Sequence, residues 1–483
     1  MPMLKNQPNI LLIVTDQQRG DCLGLDPHAH PLQTPHLDHL ARSGLHCTRA
    51  YAECPSCIPA RRSLMTGTAP AANGIVGFQG AEWYPAHTLA GSLAQAGYQT
   101  EMIGKMHLHP PRRRFGFDHV QLADATRGQQ NDYVEWLQQR HGRHDIDPGM
   151  AHGATANGWI GRPHHLPEEQ MHSFWCIDRA MDFLKKRDPT APFFLNISFI
   201  DPHPPLTPPA PYYERYIRRD SPAPAVGDWA AGFDAPQKGL HPDAWEIRLP
   251  AEELHCARAA YYGMVNFIDD QVGRLCQHAR GLLDECLILF VSDHGEMLGD
   301  HNLFRKTWPY EASARIPFFA RAPRNWGWPT EQVCQTPVGL QDIMPTLLEA
   351  AGLDVPATCT GRSLLPVMRG EADGVRDLLH GEHAGCYEYA HGNHFLVDDR
   401  WKYVWYSQTG REHLFDLADD PQELRDLARG DAADERLRPW RERLAVVLKD
   451  RPEGFVADGA LVAGRDHRPI MPDYDPHRTS NFE

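Results

Sequence analysis

Residues 9–16 read NILLIVTD, a run of five apolar side chains between an asparagine and a Thr-Asp pair. A short continuous apolar run of this kind is typical of a buried parallel strand, and we predict a strand over Asn9–Thr15. The strand ends at Asp16-Gln17-Gln18. In open α/β sheets, ligands bind at the carboxyl ends of the strands. This stretch therefore predicts both the fold class and the edge of the sheet where a site lies.

The same pattern of a helix followed by an apolar strand recurs through the first 370 residues. Further apolar strands are predicted over 99–103, 192–200 and 286–292, and each is followed by polar residues. Alternating helices and apolar strands predict an α/β fold, in which a large, mostly parallel sheet is covered by helices on both faces. The predicted helices are Thr34–Gly44, Thr88–Gly97, Gln170–Lys186, Glu252–Leu282 and Asp342–Ala351.

The character of the sequence changes after about residue 370, where short strand-like runs replace the alternation. We predict a large α/β domain over 1–370, a smaller α+β domain with an antiparallel sheet over 371–450, and an irregular arm over 451–483. The arm either packs on the body or on another subunit, or stays a loose tail. The predicted elements of the smaller domain are strands at 394–397, 401–405 and 413–416 and a helix at 434–448.

Composition and charge narrow the class of protein. The chain has 483 residues and a formal net charge of −15, which argues against a nucleic-acid-binding surface because such surfaces are basic. The 28 histidines favour metal or acid–base chemistry. The apolar run near the N-terminus is too short for a signal peptide, and no stretch has the length of a membrane helix. The 11 scattered cysteines fit reduced thiols, so we expect a cytoplasmic protein without membrane contact.

Carboxylates and polar groups follow two of the predicted strands. Asp16 follows the first strand, and Asp293 and His294 follow the strand over 286–292. Carboxylates at strand ends are a common way to hold a hard divalent cation, and Gln17 offers a carbonyl oxygen beside them. The alternative is a strand-end turn that binds nothing.

Basic residues follow the other strands. Lys105 and His107 alternate after the strand over 99–103, so an extended segment presents both to the same side. Such a pair suits an oxyanion, because one residue supplies charge and the other can move a proton. His203 lies between prolines that stiffen the chain, and Lys306 lies in a later loop. Each of these residues taken alone is equally compatible with a solvated loop.

The stretch CPSCIPARRS at 54–63 contains a C-x-x-C pattern formed by Cys54 and Cys57. A redox pair usually begins a helix in a small thioredoxin-like unit, and a zinc site needs a second pair, which the chain lacks. Pro59 and Arg61 instead predict a helix start with guanidinium groups beside Cys57, which is an anion-binding arrangement. A nucleophile facing an anionic centre and a buried structural cysteine remain equally open at this point.

Together these residues resemble the type I sulfatases of the alkaline phosphatase superfamily. The resemblance spans nearly the whole chain, and the motifs occur in the family's order. It implies an alkaline-phosphatase-like fold and hydrolysis of sulfate esters. The motifs are CIPARRSLMTG (57–67), GKMHLH (104–109), SDHGEMLGDHNLFRK (292–306), TGRSLLP (360–366) and LFDLADDPQELRDLA (414–428).

The resemblance also implies roles for the residues already singled out. It implies that a separate maturation enzyme oxidises Cys57 to formylglycine, whose hydrate is the nucleophile. It further implies a cation, Ca²⁺ with Mn²⁺ or Mg²⁺ as alternatives, held by Asp16, Gln17, Asp293, His294 and the modified Cys57. The remaining roles it implies are support of the formylglycine by Arg61, sulfate binding by Lys105 and Lys306, a base at His107 and an acid at His203.

Two positions depart from the usual pattern of the family. Many members carry a second aspartate at the place of Gln17 and an asparagine at that of His294, and the residues found here resemble the phosphonate monoester hydrolases. Those hydrolases generally lack the pair formed by Lys105 and His107, so the pair favours sulfate. The function alternatives are therefore a phosphonate monoester or phosphodiester hydrolase and, more remotely, a C-x-x-C redox or metal-binding protein.

The sequence leaves the substrate and the oligomeric state open. We expect a small organic or carbohydrate sulfate, and a homo-oligomer is neither required nor excluded. Specificity is expected to lie in loops over 75–87, 110–165 and 205–250. Side chains of the second domain are expected to contribute as well, with Glu382, His383 and Trp405 as examples.

Overall fold

The computed structural model describes residues 7–26, 30–124, 131–142, 153–230, 240–430 and 432–477. The strands of the main body are β1 Asn9–Asp16, β2 Leu45–Cys47, β3 Ala50–Tyr51, β4 Gln99–Gly104, β5 His119–Leu122, β6 Phe193–Pro202, β7 Cys286–Ser292, β8 Phe318–Arg321, β9 Gln332–Cys334 and β10 Val338–Gly339. Those of the C-terminal part are β11 Leu379–His383, β12 Asn393–Val397, β13 Trp401–Tyr406, β14 Glu412–Asp416, β15 Val456–Ala457 and β16 Ala460–Leu461.

The helices between these strands include all those that the sequence predicts, together with several shorter ones. They are α1 Pro35–Arg42, α2 Cys57–Thr66, α3 Pro70–Asn73, α4 Leu89–Gln95, α5 Asp132–His141, α6 His172–Lys186, α7 Ala210–Ile217, α8 Ala251–His278, α9 Arg280–Leu283, α10 Glu311–Ala314, α11 Ile343–Ala350, α12 Leu365–Met368 and α13 Ala433–Leu448.

The main sheet has eight strands in the order β5-β4-β6-β1-β7-β8-β2-β9. The strands β4, β6, β1 and β7 are neighbours and all parallel, whereas β8 runs antiparallel to both of its neighbours. The predicted α/β fold with a mixed, mostly parallel sheet is confirmed. The short strands β2, β8 and β9 on one side of the sheet were not predicted, because three or four residues are too few to show a period.

Two separate cores cover the two faces of the main sheet. In β1, Ile10, Leu12 and Val14 point into one core and Leu11 and Ile13 into the other, as the period of two requires. The first core includes side chains of α2, α4 and α11, and the second includes side chains of α1, α6 and α8. The continuous apolar run of β1 is thus explained by burial on both faces.

The smaller sheet has the antiparallel order β11-β12-β13-β14. One of its faces packs on α13, through side chains such as Tyr403 and Trp440. The other face packs on the main body, where Phe395 and Tyr406 share a core with Trp308. The predicted antiparallel sheet is confirmed, while the domain boundaries at 370 and 450 stay predictions.

The described part of the C-terminal arm packs on the body. Its backbone pairs with the segment after α3, where the amide of Val76 donates to the carbonyl of Pro469 and that of Tyr84 donates to the carbonyl of Pro476. Burial of Met471 against Val76 reinforces this contact. Of the alternatives for the arm, packing on the body is therefore correct for the residues described.

Several predicted loops and helices differ from the structure in detail. The loop over 205–250 contains α7, whose amphipathic turns pack on α8 through Tyr212 and Tyr216. The loop over 110–165 contains β5 and α5, and its residues 125–130 and 143–152 lie outside the described part. The long helix predicted over 252–282 is broken after His278. Among the described helices, none combines the length and apolar character needed to span a membrane.

Candidate functional site

Four neighbouring strands deliver polar residues to one edge of the main sheet. Asp16 ends β1, Asp293 follows β7, Lys105 follows β4 and His203 follows β6. Because these four strands are parallel and adjacent, their carboxyl ends lie side by side. The predicted convergence of these distant residues is therefore observed.

Helix α2 brings Cys57 to this edge as its first residue. Ser56 precedes the helix with an extended backbone, and Gly67 ends it with a left-handed φ of 67°. The thiol is 1% exposed. The amide groups at a helix N-terminus carry partial positive charge, so the position of Cys57 favours an anion.

The Cys57 sulfur is surrounded by charged groups from three other segments. It lies 3.2 Å from His294 Nε2, 3.6 Å from the Nζ atoms of both Lys105 and Lys306, and 3.7 Å from Asp16 Oδ1. Burial opposes ionisation of the thiol, but Lys105, Lys306 and His294 outweigh it and hold the pKa of Cys57 well below its ordinary value. An anion at this position is therefore stabilised by its surroundings.

Four donors around Cys57 have the arrangement of a metal site. Ligand atoms of Asp16, Cys57, Asp293 and His294 all lie within 4.8 Å of one another, and all four residues are buried. His294 Nε2 lies 3.7 Å from Asp16 Oδ1 and 3.5 Å from Asp293 Oδ1. Burial and the nearby carboxylate of Asp16 raise the pKa of Asp293. Two crowded buried carboxylates with an imidazole fit a divalent cation, which would relieve their repulsion.

Arg61 connects the helix to three of the strand ends. Its Nε donates to Asp293 Oδ2 at 2.9 Å and its Nη2 to Asp16 Oδ2 at 3.2 Å. Its Nη1 donates to the carbonyl of Lys105 at 2.6 Å and to Ser198 Oγ at 2.8 Å. The guanidinium thus fixes both carboxylates relative to α2. Ser198 was not singled out from the sequence, because a serine within an apolar strand gives no signal of its own.

Gln17 joins the site through both ends of its side chain. Its Oε1 accepts from Lys306 Nζ at 2.8 Å, and its Nε2 donates to the buried carboxylate of Glu296. Its backbone has a left-handed φ of 69°, and its amide donates to Asp293 Oδ1 at 3.1 Å. Glu296 was missed although it lies in the motif at 292–306. A glutamate three residues after Asp293 could have been noted there.

His203 is held between a carbonyl and an ammonium group. Its Nδ1 lies 2.6 Å from the carbonyl of Pro204, and its Nε2 lies 2.7 Å from Lys306 Nζ. Burial and the charge of Lys306 lower the pKa of His203 to about 4. The ring is therefore neutral at physiological pH.

His107 lies on a strained turn at the mouth of the site. Its φ is 52°, and its amide donates to Asp124 Oδ1 at 3.0 Å, as does that of Met106 at 2.8 Å. Its Nδ1 is buried and has no hydrogen-bond partner in the part of the chain that the structure describes. Asp124 had no sequence signal, yet it fixes the turn that carries the imidazole. The exposed ring of Phe78 lies 6.2 Å from that of His107.

The structure gives no support to the expectation that Glu382, His383 and Trp405 contact the substrate, because each is held by other contacts. Arg451 Nη1 donates to both oxygens of Glu382, and Trp405 packs in the core between the smaller sheet and α13. His383 Nε2 lies 2.9 Å from Ser56 Oγ, so β11 supports the start of α2. Contacts of this kind could not be inferred from residue type alone.

Cys54 and Cys57 are both buried and both free. Burial and the nearby carboxylate of Glu382 raise the pKa of Cys54 well above its ordinary value, whereas that of Cys57 is lowered. The two thiols thus have opposite environments. A thiol kept protonated in this way is a poor redox partner, so the structure gives no support to the C-x-x-C interpretation.

Family models match most of the chain. Residues 8–353 match the model described as Sulfatase. Residues 299–449 match the model described as N-sulphoglucosamine sulphohydrolase, C-terminal.

Relatives over the whole length act on more than one kind of ester. The chain is 38% identical to an arylsulfatase of Clostridium perfringens, over 95% of this chain and 98% of that protein. It is 30% identical to a choline-sulfatase of Rhizobium meliloti, over 96% of this chain and 87% of that protein. The crystal structure of the phosphonate monoester hydrolase of Agrobacterium radiobacter superimposes with a TM-score of 0.76 at 27% identity. That match covers 95% of this chain and all of the other.

Proposed function

The chain belongs to the sulfatase family, and from this premise we propose how its site works and what it accepts. It is an enzyme that hydrolyses sulfate esters. We propose that the substrate is a small organic or carbohydrate sulfate, and that residue 57 is the nucleophile after oxidation to formylglycine. The observation that carries this proposal is the position of Cys57. It begins a buried helix at the meeting point of four strand ends, with two lysine ammonium groups 3.6 Å from its sulfur.

Oxidation of Cys57 by a maturation enzyme, which would pass two electrons to an external oxidant, would replace its CH₂SH group by an aldehyde and release the sulfur as sulfide. When hydrated, the aldehyde supplies two hydroxyls, one to attack sulfur and one whose loss of a proton restores the aldehyde and releases sulfate. A serine or a thiol lacks this second hydroxyl. A divalent cation, Ca²⁺ with Mn²⁺ or Mg²⁺ as alternatives, would be held by Asp16, Gln17, Asp293, His294 and residue 57. It would polarise the sulfate oxygens and favour an ionised hydroxyl.

The cationic side chains bind the sulfate and hold the nucleophile. The Nζ atoms of Lys105 and Lys306 each lie 3.6 Å from the Cys57 sulfur, so an anionic sulfate bound there meets two positive charges. Lys105 is itself ion-paired with Asp16, which keeps its ammonium in place. Arg61 does not need to reach the substrate, because its contacts with Asp293 and Asp16 already orient the carboxylates.

Two imidazoles are available for proton transfer. His107 presents a buried ring nitrogen without a partner among the described residues, which suits a base that accepts the proton of the second hydroxyl. His203, paired with Lys306, lies where a departing alcohol needs a proton. Because its Nε2 accepts from Lys306, we propose that the two side chains deliver that proton together.

A phosphonate monoester or phosphodiester hydrolase remains the second candidate. Gln17 and His294 favour it, since these residue types at these positions resemble that branch. The pair formed by Lys105 and His107 favours sulfate, and Lys105 Nζ lies 3.6 Å from the Cys57 sulfur. We therefore propose sulfate as the main substrate, with weaker activity toward phosphonates.

The mouth of the site favours an apolar leaving group. Phe78 is 43% exposed, and its ring centroid lies 6.0 Å from Lys306 Nζ. A ring at this place can stack on an aryl or other flat leaving group. We also propose a cytoplasmic location, which is supported by the eleven cysteines, all of them free.

Mass spectrometry of the peptide that contains residues 50–61 tests the nucleophile directly. The protein is produced with and without a formylglycine-generating enzyme, and release of inorganic sulfate from 4-nitrophenyl sulfate is measured for both. We expect the aldehyde or its hydrate in place of the thiol, and activity in proportion to the converted fraction. Full activity with an unmodified Cys57 would overturn the proposal. A Cys57→Ala variant, matured in the same way, is the control.

A further inference from the structure

A second group of potential metal ligands lies outside the active site, between the smaller sheet and the C-terminal arm. It consists of Glu382 on β11, His394 on β12 and His467 in the arm, and His380 on β11 lies beside His394. Glu382 is 1% exposed, and His394 and His467 are fully buried. Only His380 is partly exposed. None of these side chains has a part in the proposed reaction.

The sheet and the arm bring these side chains together. Glu382 lies directly opposite His394 in the antiparallel register of β11 and β12. His380 is two residues earlier and therefore points to the same face. After α13, the chain returns across this face and adds His467. Imidazoles from β11, β12 and the C-terminal arm are thus placed near the carboxylate of Glu382.

The distances in this cluster are those of ligands around a common centre. Glu382 Oε2 lies 3.8 Å from His394 Nδ1 and 3.8 Å from His467 Nε2, and His380 Nε2 lies 3.2 Å from His394 Nδ1. The two distances of 3.8 Å are too long for hydrogen bonds. Two ligands of a tetrahedral ion with bonds of about 2.1 Å are separated by about 3.4 Å. The ring of His394 is stacked on those of His380 and His467, with interplanar angles of 16° and 5°, so binding would require the rings to turn as well as to shift.

Two buried nitrogens in the cluster are unsatisfied. His467 Nε2, which faces Glu382, has no hydrogen-bond partner in the described ranges, and neither has His394 Nε2, which lies across its ring from the Nδ1 near Glu382. Leaving a buried polar group without a partner costs about 1–3 kcal/mol. His467 Nδ1 lies 2.9 Å from Ser407 Oγ, and this contact fixes the ring with Nε2 turned toward Glu382. Such a contact on the far nitrogen is typical of a metal-binding histidine.

The charge around the cluster permits a cation. Arg451 Nη1 donates to both oxygens of Glu382, at 2.7 and 2.9 Å, and so orients the carboxylate. The charge of Arg451 is balanced by Glu453, which accepts from its Nη2 at 2.6 Å. Glu382 therefore contributes the remaining negative charge, and the neutral imidazoles contribute lone pairs. This donor set is richer in nitrogen than that of the active site, and imidazoles with one carboxylate suit zinc.

We propose that Glu382, His394 and His467, with His380 as a fourth ligand, bind a structural Zn²⁺ that fastens the C-terminal arm to the smaller sheet. The site is independent of the sulfatase reaction. It would stabilise the fold by joining residues 380 and 467 across almost ninety positions of the chain. Its second effect would be on the active site, because His383, next to Glu382, supports Ser56 at the start of α2.

Zinc content of the full-length protein tests this site. All variants in this test carry Asp293→Asn as a common background. This substitution removes one carboxylate of the active-site metal group, so that metal bound there does not add to the measured zinc content. The protein is produced with added zinc, dialysed against a weak chelator and analysed by inductively coupled plasma mass spectrometry. We expect about one zinc per chain in the background and less than about a tenth of that after His467→Gln. The control is His119→Gln in the same background, which changes an exposed histidine on β5.

Thermal unfolding keeps the test decisive if His467→Gln folds poorly. His380→Gln changes a partly exposed ligand and is expected to lower the zinc content while the protein remains folded. Added ZnCl₂ is expected to raise the Tm of the background protein but not that of its His467→Gln variant. A background protein without zinc, or equal zinc content with and without His467 and His380, would overturn the proposal.

Discussion

The Nζ of Lys306 lies 2.7 Å from the Nε2 of His203, deep in the site. The other ring nitrogen of His203 faces the carbonyl of Pro204 at 2.6 Å. Because a carbonyl only accepts, Nδ1 carries the proton of the neutral ring and Nε2 accepts from the ammonium. A proton therefore lies between Lys306 and His203. In the mechanism proposed above, this pair of side chains would supply the proton to the departing alcohol.

Substitution of His203 is expected to matter most for poor leaving groups. His203→Gln should lower kcat for a simple alkyl sulfate by about 10²–10⁴-fold, because an alkoxide cannot leave without a proton. It should affect 4-nitrophenyl sulfate much less, since a nitrophenolate leaves unprotonated. Rates for a series of leaving groups with different pKa values check this. Equal losses for alkyl and nitrophenyl esters would contradict the role.

Lys306 should be coupled to His203 in the same measurement. Lys306→Met is expected to raise KM for all sulfates, through loss of a sulfate contact, and also to slow alkyl esters more than aryl esters. If the pair delivers one proton, the double variant should lose less than the product of the two single losses. Fully additive losses would show that the two side chains act separately.

Arg61 is expected to position the carboxylates of Asp16 and Asp293, and we expect that lysine cannot replace it. Arg61→Lys should lower kcat/KM by about 10²-fold, because an ammonium cannot keep contacts to Asp16, Asp293 and Ser198 at once. The matched control is Arg62→Lys on the same helix, where the guanidinium contacts Ala81 and Tyr474 away from the site. The Arg62 variant should keep its activity even if its Tm falls. A similar loss in both variants would instead indicate general damage to α2.

The charge of position 17 should set how tightly the active site holds its cation. Gln17→Asp introduces the aspartate that is common in the family. Because Gln17 Nε2 donates to Glu296, the same chain also carries Glu296→Gln, whose amide can donate in place of the amide that Gln17 loses. The added carboxylate is expected to slow loss of metal and activity to EDTA by about tenfold, since affinity rises with ligand charge. The Glu296→Gln single variant is the control. No change in chelator sensitivity would place Gln17 outside the metal site.

Phe78 should select for flat leaving groups. Phe78→Ala is expected to raise KM for aryl sulfates by about threefold to tenfold, through loss of ring stacking, and to leave small alkyl sulfates unchanged. The control is Val333→Ala, an exposed apolar residue on the edge strand β9. Steady-state kinetics with both ester classes check this. An equal rise of KM for both classes would contradict stacking on the leaving group.

Much of the fold was predictable because burial on both faces leaves a clear pattern. Strands such as β1 and β7 are continuous apolar runs, and polar residues follow them at one edge of the sheet. The short strands on one side of the sheet were not predictable, since runs such as that of β2 have only three residues. The helix α7 was missed because its proline-rich surroundings conceal a short amphipathic pattern.

The candidate site was predictable where its residues lie in motifs and not where they support those motifs. Cys57 and Asp293 belong to recognisable stretches of sequence. Asp124 and Ser198 are single polar residues whose function depends on what the fold places beside them. For the same reason Glu382 was assigned to the substrate although it is buried against Arg451. Residue type indicates chemistry, but only packing decides which side chains reach solvent.

The ratio of kcat/KM for an aryl sulfate to that for the matching aryl phosphonate monoester tests the central claim most directly. Both esters carry the same leaving group and are compared in one preparation, whose converted fraction of Cys57 is known. The presence of Lys105 and His107 beside residue 57 predicts a ratio well above one, at least about tenfold. A ratio below one, retained in Lys105→Ala and His107→Ala variants, would contradict the account and identify a phosphonate hydrolase.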